Sequence, residues 1–410
     1  MRDECADRTG RIDRRGFLGT GAGALAAAAV LGDGPAAAAQ APSRPTGSAA
    51  LPKRTLGRTG VEVTILNIGT WLSPGVERLV RLAWANGVRY VDTAKSYGSE
   101  PMIGRWLKTV PEARNELFLV TKDHPRSPRG LIQQLDQRLE ALQVDHVDLI
   151  FIHALGDHNF ATEVKWPKSS EFKDTADKIR KSGKAKFVGF STHHPQRHQI
   201  LQAAAEGGFV DVIMLMNNPW SAHEDKMNRA LDACYKRGIG LVSMKQVAGN
   251  TNLEEIGRQL PELREKGLTP YQALLHAIWT DERFSSCCVS MRNTDQVREN
   301  TEAARTFKPM TRAEIHRLRD ACIAAGPTLC ASCDGRCSQA AGTTAELGRL
   351  TRFLTYHDHH GYRAEARRLY AELDDPARHW HGADLEAARQ ACPNKLDFAK
   401  LLPRVDEVLG

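Results

Sequence analysis

From Arg54 onward, short runs of apolar and β-branched residues alternate with longer amphipathic stretches. A small hairpin is expected first, from Arg54 to Gly60 and on through Val61 to Thr64. The runs that follow read as strands at Ile65–Thr70, Tyr90–Thr93, Leu117–Thr121, Val147–His153, Ala185–Ser191, Val210–Asn217, Gly240–Met244 and Ser286–Ser290. Their apolar character is almost unbroken, as in VDLIFIH and VDVIMLM. That pattern fits strands buried on both faces, as in a parallel sheet. Helical patterns lie between them, such as GLIQQLDQRLEAL at 130–142 and the stretch 169–182. Strand and helix alternating in this way predict an α/β protein, a (β/α)8 TIM barrel over residues 51–310. A doubly wound open sheet would need a glycine-rich phosphate loop after its first strand. Here that strand ends in Gly69-Thr70-Trp71 with no such motif. Past the barrel, TRAEIHRLRDACIAA reads as a helix with Thr311 as N-cap and Glu314 completing a capping box. Gly326-Pro327 breaks it, and 311–410 is expected to form a mostly helical, cysteine-containing C-terminal extension.

Composition adds little to this. The chain has 410 residues, 41% hydrophobic and 26% charged, as in ordinary soluble proteins. The net charge of +7 is mild and partly carried by the first fifteen residues, so no nucleic-acid partner is expected. The N-terminus is a different matter. Asp13-Arg14-Arg15-Gly16-Phe17-Leu18 precedes an uncharged Ala/Gly/Leu run, and Ala36 to Ala39 offers a small-residue cleavage site. Residues 1–39 thus look like a twin-arginine signal peptide, addressed to the twin-arginine export machinery and a periplasmic or extracellular destination. The apolar run is short against the ~20 residues that span a bilayer, so no lasting membrane span is expected. Residues 40–50, rich in Pro, Ser and Ala, read as a linker.

The candidate chemistry lies where the strands end, because the C-terminal strand ends form the active-site face of a parallel barrel. Asp92, Tyr97, Lys122 and His153 all stand at or just past such ends. Carbonyl reduction needs a hydride donor, an acid for the oxygen and a group to hold that oxygen. Tyr97 is the expected acid. Lys122 is expected to lower its pKa, Asp92 to fix Lys122, and His153 to donate a hydrogen bond to the substrate oxygen.

These segments, with LNIGTW at 66–71, VDTAKSYG at 91–98, GFSTHH at 189–194 and DQVREN at 295–300, resemble the aldo/keto reductase family. The resemblance implies an NAD(P)-dependent oxidoreductase that interconverts a small carbonyl or sugar-like compound and its alcohol. It also implies a dinucleotide extended across the barrel top, near Gly69, Thr70, Trp71, Ser191, Thr192, Lys245, Ser290, Arg292, Gln296 and Asn300. Arg292 and Lys245 favour NADP over NAD. The family pattern is broken at Thr192, Met214 and Asn217, which leaves open a catalytically silent barrel acting as an exported binding or accessory protein.

Cys330-x2-Cys333-x3-Cys337 and the distant Cys392-Pro393 resemble a bacterial iron–sulfur arrangement. With YHDHHGYRAEARRLYAEL at 356–373, they are similar to the extension of ferredoxin-type aldo/keto reductases, which implies one [4Fe-4S] cluster on four thiolates. Zinc or two disulfides are the alternatives. His357, His359 and His360 read as a solvated helix surface.

Overall fold

The computed structural model describes residues 50–219, 225–246, 253–325, 330, 334–359 and 361–410. The expected signal peptide and nearly all of the linker, the Gly326-Pro327 break and Cys333 lie outside them.

The hairpin pairs β1 (Lys53–Thr55) antiparallel with β2 (Glu62–Thr64). Eight parallel strands then close into a barrel: β3 (Leu66–Gly69), β4 (Tyr90–Asp92), β5 (Phe118–Asp123), β6 (Val147–Ile152), β7 (Ala185–Thr192), β8 (Val212–Met216), β9 (Gly240–Met244) and β10 (Phe284–Ser290), with β10 pairing both β9 and β3. These are the strands read from the sequence, with small shifts at their ends.

Two apolar layers hold the barrel. Between sheet and helices lies the larger one, which includes Ile68, Val91, Leu119, Ile150, Ile152, Val188, Ile213 and Leu241. Inside the barrel lie Tyr90, Phe118, Val120, Leu149, Phe151, Val212, Met214 and Val242, closed at the hairpin end by Leu56 and Val63. Side chains along a strand alternate faces with a period of two. The inward rows therefore run Tyr90 to Asp92, Phe118 to Val120 to Lys122, and Leu149 to Phe151 to His153. Strand periodicity thus carries the polar residues to the barrel mouth, on top of an apolar plug.

Gly189 permits close packing of β7 on β8, since a Cβ there would lie 1.9 Å from Val212 O and 2.9 Å from Phe151 Cε1. The helix Arg312–Ala325 begins with the expected box: Thr311 N donates to Glu314 Oε2 at 2.6 Å and Glu314 N to Thr311 Oγ1 at 3.3 Å. It packs on the helices Leu253–Gln259 and Pro270–Thr280 through Ile256, Leu274, Ile315 and Leu318.

The rest of the extension is helical, with its main helices at Leu347–Asp358, Arg363–Ala371, Leu385–Ala391 and Phe398–Leu409. They share a separate core of Leu350, Phe353, Leu354, Phe398, Leu402 and Val405, against which Trp71 of the barrel packs. The extension therefore lies over the ends of the strands.

Candidate active site

A cavity of about 730 Å³ opens at the barrel mouth, within the size range of small-molecule sites. Asp92, Tyr97 and His153 line it. Lys122 lies beneath, 1% exposed, and donates to Asp92 Oδ1 at 2.5 Å and to Thr93 O at 2.7 Å. Its Nζ is 4.8 Å from the centre of the Tyr97 ring. Tyr97 Oη and His153 Nε2 are 3.5 Å apart, with the two rings edge to face. The four expected catalytic residues are thus brought together.

Their electrostatics differ from expectation in one respect. Desolvation, with the negative charge of Asp92 added, pushes the Tyr97 phenol well above its ordinary pKa. Lys122 was expected to lower it, but its ammonium is engaged by Asp92 and the Thr93 carbonyl. Tyr97 therefore holds its proton at neutral pH. Burial raises Asp92, against the opposing pull of Lys122. Burial, with His124 and Lys122 nearby, depresses His153 well below the ordinary value. The imidazole is neutral, so it has one N–H to donate. Its Nδ1 is buried without a hydrogen-bond partner, and Nε2 faces the phenol.

The expected cofactor residues divide into two groups. Gly69, Trp71, Lys245, Ser290, Arg292, Gln296 and Asn300 line the cavity. Asn300 is 2% exposed and its Oδ1 has no partner, so a buried acceptor awaits a donor there. Gln296 Oε1 accepts from Arg292 N at 2.7 Å, and Asn293 caps the following helix Thr294–Arg305. Thr70, Ser191 and Thr192, in contrast, do not line the cavity. Thr70 Oγ1 is spent on Asp92 O at 3.1 Å and Ser99 Oγ at 2.8 Å. Ser191 Oγ accepts from Ala154 N at 3.0 Å. Thr192 is fully buried, and its Oγ1 accepts weakly from His194 N at 3.4 Å. All three hold the strand ends in shape. Met214, where the family pattern breaks, lines the cavity, while Asn217 does not.

The sequence reading missed the far wall. The extension supplies Arg349, Arg352, Tyr356, His359 and Tyr362 to it, and the barrel adds His124, Asp157 and His193. Lys245 Nζ donates to Tyr356 Oη at 2.7 Å. Trp71 packs on both Tyr356 and Tyr362, at 5.7 and 5.2 Å between centroids. Arg292 lies 4.7 Å from the centre of the Tyr362 ring. Lys245 sits at φ +58°, a left-handed backbone uncommon outside glycine and frequent at functional sites. The aromatic segment YHDHHGY was the available signal. His357, read as solvated, is in fact buried, and its Nδ1 lies 2.8 Å from Asp358 Oδ1.

The expected thiolate site does not assemble among the described residues. Cys330, Cys337 and Cys392 belong to the same apolar core, with Cys330 also reaching the cavity wall. Yet among the described residues no three Cys, His, Asp or Glu side chains are grouped to hold a metal. Burial, with Cys330 near, raises the pKa of Cys392 and keeps it a thiol.

A family model for the aldo/keto reductase family matches residues 68–322. The chain belongs to the aldo/keto reductase family. With it comes membership among the NAD(P)-dependent oxidoreductases. Relatives of this aldo/keto reductase include the glyoxal reductase of Bacillus subtilis, 28% identical over 219 residues that cover 51% of this chain and 73% of that one. Human aldo-keto reductase family 1 member A1 is 31% identical over 170 residues, 39% of this chain and 47% of that protein, so the match spans about half of its length. Among solved structures, aldo-keto reductase AKR11C1 from Bacillus halodurans, in a holo form, aligns with a TM-score of 0.53 at 19% identity. It covers 66% of this chain and 96% of that one, a likeness of fold.

Proposed function

We propose that this protein reduces small carbonyl compounds to alcohols with NAD(P)H, Tyr97 supplying the proton. The observation that carries the reading is a protonated phenol and a neutral imidazole 3.5 Å apart at the cavity floor, with the Lys122–Asp92 pair buried beneath. A bound nicotinamide would supply the hydride. Ser290, Arg292, Gln296 and Asn300 suit the dinucleotide: an arginine without a carboxylate among the described residues and a buried amide oxygen without a donor. His153 would donate from Nε2 to the carbonyl oxygen and orient it. Tyr97 would release its proton as negative charge builds on that oxygen. The phenolate left behind would be stabilised by the Lys122 ammonium 4.8 Å from the ring centre. Asp92 keeps that ammonium in place. The relatives' names, one of them a glyoxal reductase, support a small carbonyl substrate.

The test is oxidation of NADPH or NADH by the purified protein with glyoxal and short aldehydes, beside titration of nucleotide binding by tryptophan fluorescence. Turnover that Tyr97→Phe abolishes is expected. Absence of nucleotide binding would overturn the reading. It would instead favour an accessory or binding protein, for which the contacts of Tyr356 and Tyr362 on Lys245, Trp71 and Arg292 speak.

Two further proposals rest on sequence alone. Export by the twin-arginine route is tested by fractionation of a strain carrying Arg14→Lys with Arg15→Lys, which should retain the protein inside. A [4Fe-4S] cluster on Cys330, Cys333, Cys337 and Cys392 is tested by iron and sulfide content after anaerobic purification. No step of the reaction above depends on it.

A further inference from the structure

One buried charge has no task in the proposed reaction. Arg352, 8% exposed, comes from the extension and lines the cavity. Its Nη1 donates to His193 O at 3.1 Å, and its Nη2 lies 3.4 Å from His193 Nδ1. That same Nδ1 is 3.0 Å from Asp157 Oδ2. Burial depresses the His193 pKa to about 3, so the ring is neutral and has a single N–H. The proton belongs on Nδ1, where Asp157 accepts it; otherwise a lone pair would face a carboxylate. Nδ1 then cannot accept from Arg352. The Nε of Arg352 is itself buried without a partner. The Nε–Nη2 edge of this guanidinium, one of the edges that can hold both oxygens of a carboxylate, therefore has no acceptor among the described residues.

Nearby carboxylates do not serve it. Against the cost of burial, Arg352 helps His193 and Arg349 depress the pKa of Asp157, and it opposes the rise that burial gives Glu346. Among the described residues, however, neither carboxylate is within ion-pair distance of it. Asp157 Oδ2 is held by His193 and by Arg349 at 3.6 Å, with Oδ1 buried and unpartnered, and Glu346 is held by Arg349 at 3.1 Å. Lys245 stands in the same wall with the Tyr356 hydroxyl as its hydrogen-bond acceptor. Arg352 is close enough to disfavour the charge on Lys245. Asp92, Asp157, Glu299, Glu365 and Glu372 also line the cavity, yet among the described residues none is within ion-pair distance of Arg352 or Lys245. Two adjacent buried cations are costly until a counter-charge reaches them. The position indicates which molecule brings it. Arg352 rests on His193, just past β7, whose ring is close enough to His153 to influence its titration. Ser290 and Arg292, which suit the nucleotide, come from the end of β10, separated from β7 by β8 and β9.

We infer that Arg352, with Lys245 beside it, binds an anionic group of the substrate, and that the preferred substrates are carbonyl compounds bearing a carboxylate. This rests on the carbonyl-reductase reading above. The extension would then select the substrate as well as cover the barrel.

The test compares butanal with succinic semialdehyde, aldehydes of equal chain length that differ by the carboxylate. In the wild type, kcat/KM should favour the semialdehyde by about tenfold or more. Arg352→Gln should erase the preference mainly through KM, Arg352→Lys should restore part of it, and nucleotide affinity should not change. Succinate should raise the Tm of the wild-type protein and not that of Arg352→Gln. Lys245→Gln, on the barrel side, should also lower the preference and serves if Arg352→Gln does not fold. Equal use of the two aldehydes, or a preference that survives Arg352→Gln, overturns the inference. So does weaker NADPH and NADH binding in Arg352→Gln with the preference intact, which would assign the anion to the nucleotide phosphates. If neither aldehyde is reduced, the carbonyl-reductase reading fails, and the succinate shift decides the anion site on its own.

Discussion

Replacing Tyr97 by Phe separates chemistry from folding, because the hydroxyl makes so little of the structure. Its hydrogen-bond contact is with His153 Nε2 at 3.5 Å, a long and weak one. Losing it should cost under about 1 kcal/mol of stability. The ring stays, and so does its contact with the Lys122 ammonium at 4.8 Å. On the proposed mechanism the reaction loses its acid, which is worth about 10²–10⁴ in rate. At about 1.4 kcal/mol per tenfold, the barrier rises by about 3–5 kcal/mol. Lys122→Met makes the contrasting variant. It strands Asp92, 2% exposed, without its counter-ion, and removing one partner of a buried pair costs about 3–5 kcal/mol. The assay is the rate of nicotinamide oxidation with saturating aldehyde, beside thermal unfolding and nucleotide titration for each variant. Tyr97→Phe should lose kcat while keeping Tm and nucleotide affinity; Lys122→Met should lose both kcat and Tm. A fall in kcat smaller than about tenfold would refute Tyr97 as the acid. Tyr356, the other cavity phenol in contact with a lysine, would then be the next to replace.

Acid should destabilise the protein well above the carboxylate range. Burial depresses His124 and His194 to about 4 and His193 to about 3. The unfolded chain takes up these protons below about pH 6.5 and the folded chain does not, so stability present above that pH is lost as pH falls towards the folded values. Between pH 6.5 and pH 5 each ring removes about 2 kcal/mol; a Tm that stays level over this window would contradict it. Gly189→Ala places a Cβ 1.9 Å from Val212 O and should cost about 3 kcal/mol or more, read as a lower midpoint in urea. Arg138→Met removes the partner of Glu100 at 2.8 Å and of Asp123 at 3.3 Å, both buried. A loss of about 3–5 kcal/mol is expected, and a change below about 1 kcal/mol would show the network to be dispensable.

Much of the barrel was legible because its signals are local. A strand buried on both faces must be apolar throughout, and the period of two then fixes which residue at its end points inward. That rule turns Asp92, Lys122 and His153 inward, while their selection, and that of Tyr97 on the loop that β4 feeds, rested also on the family resemblance. Thr70 obeys the same rule: Gly69 and Trp71, two residues apart, both line the cavity, and Thr70 between them faces away to Asp92 O and Ser99. The expectation that all three consecutive residues meet the cofactor came from the resemblance, and alternation excludes it. The thiol spacing was equally visible, but spacing alone does not decide whether side chains converge.

The far wall was illegible for a different reason. Tyr356 meets Lys245 across 111 residues of sequence, and Arg352 meets His193 across 159. No periodicity encodes such a pairing. The helix Leu347–Asp358 buries Arg349, Thr351, Arg352, Thr355 and His357 as well as its leucines, because one side meets the apolar core of the extension and the other a polar cavity. Read by pattern, its arginines look like a solvent face. In the fold they are covered, and among the described residues no carboxylate lies within ion-pair distance of Arg352. A buried arginine with an unfilled bidentate edge is costly to maintain. The most economical explanation is a ligand whose anion completes it, so the helix that hides the barrel mouth is the element that best narrows the substrate class.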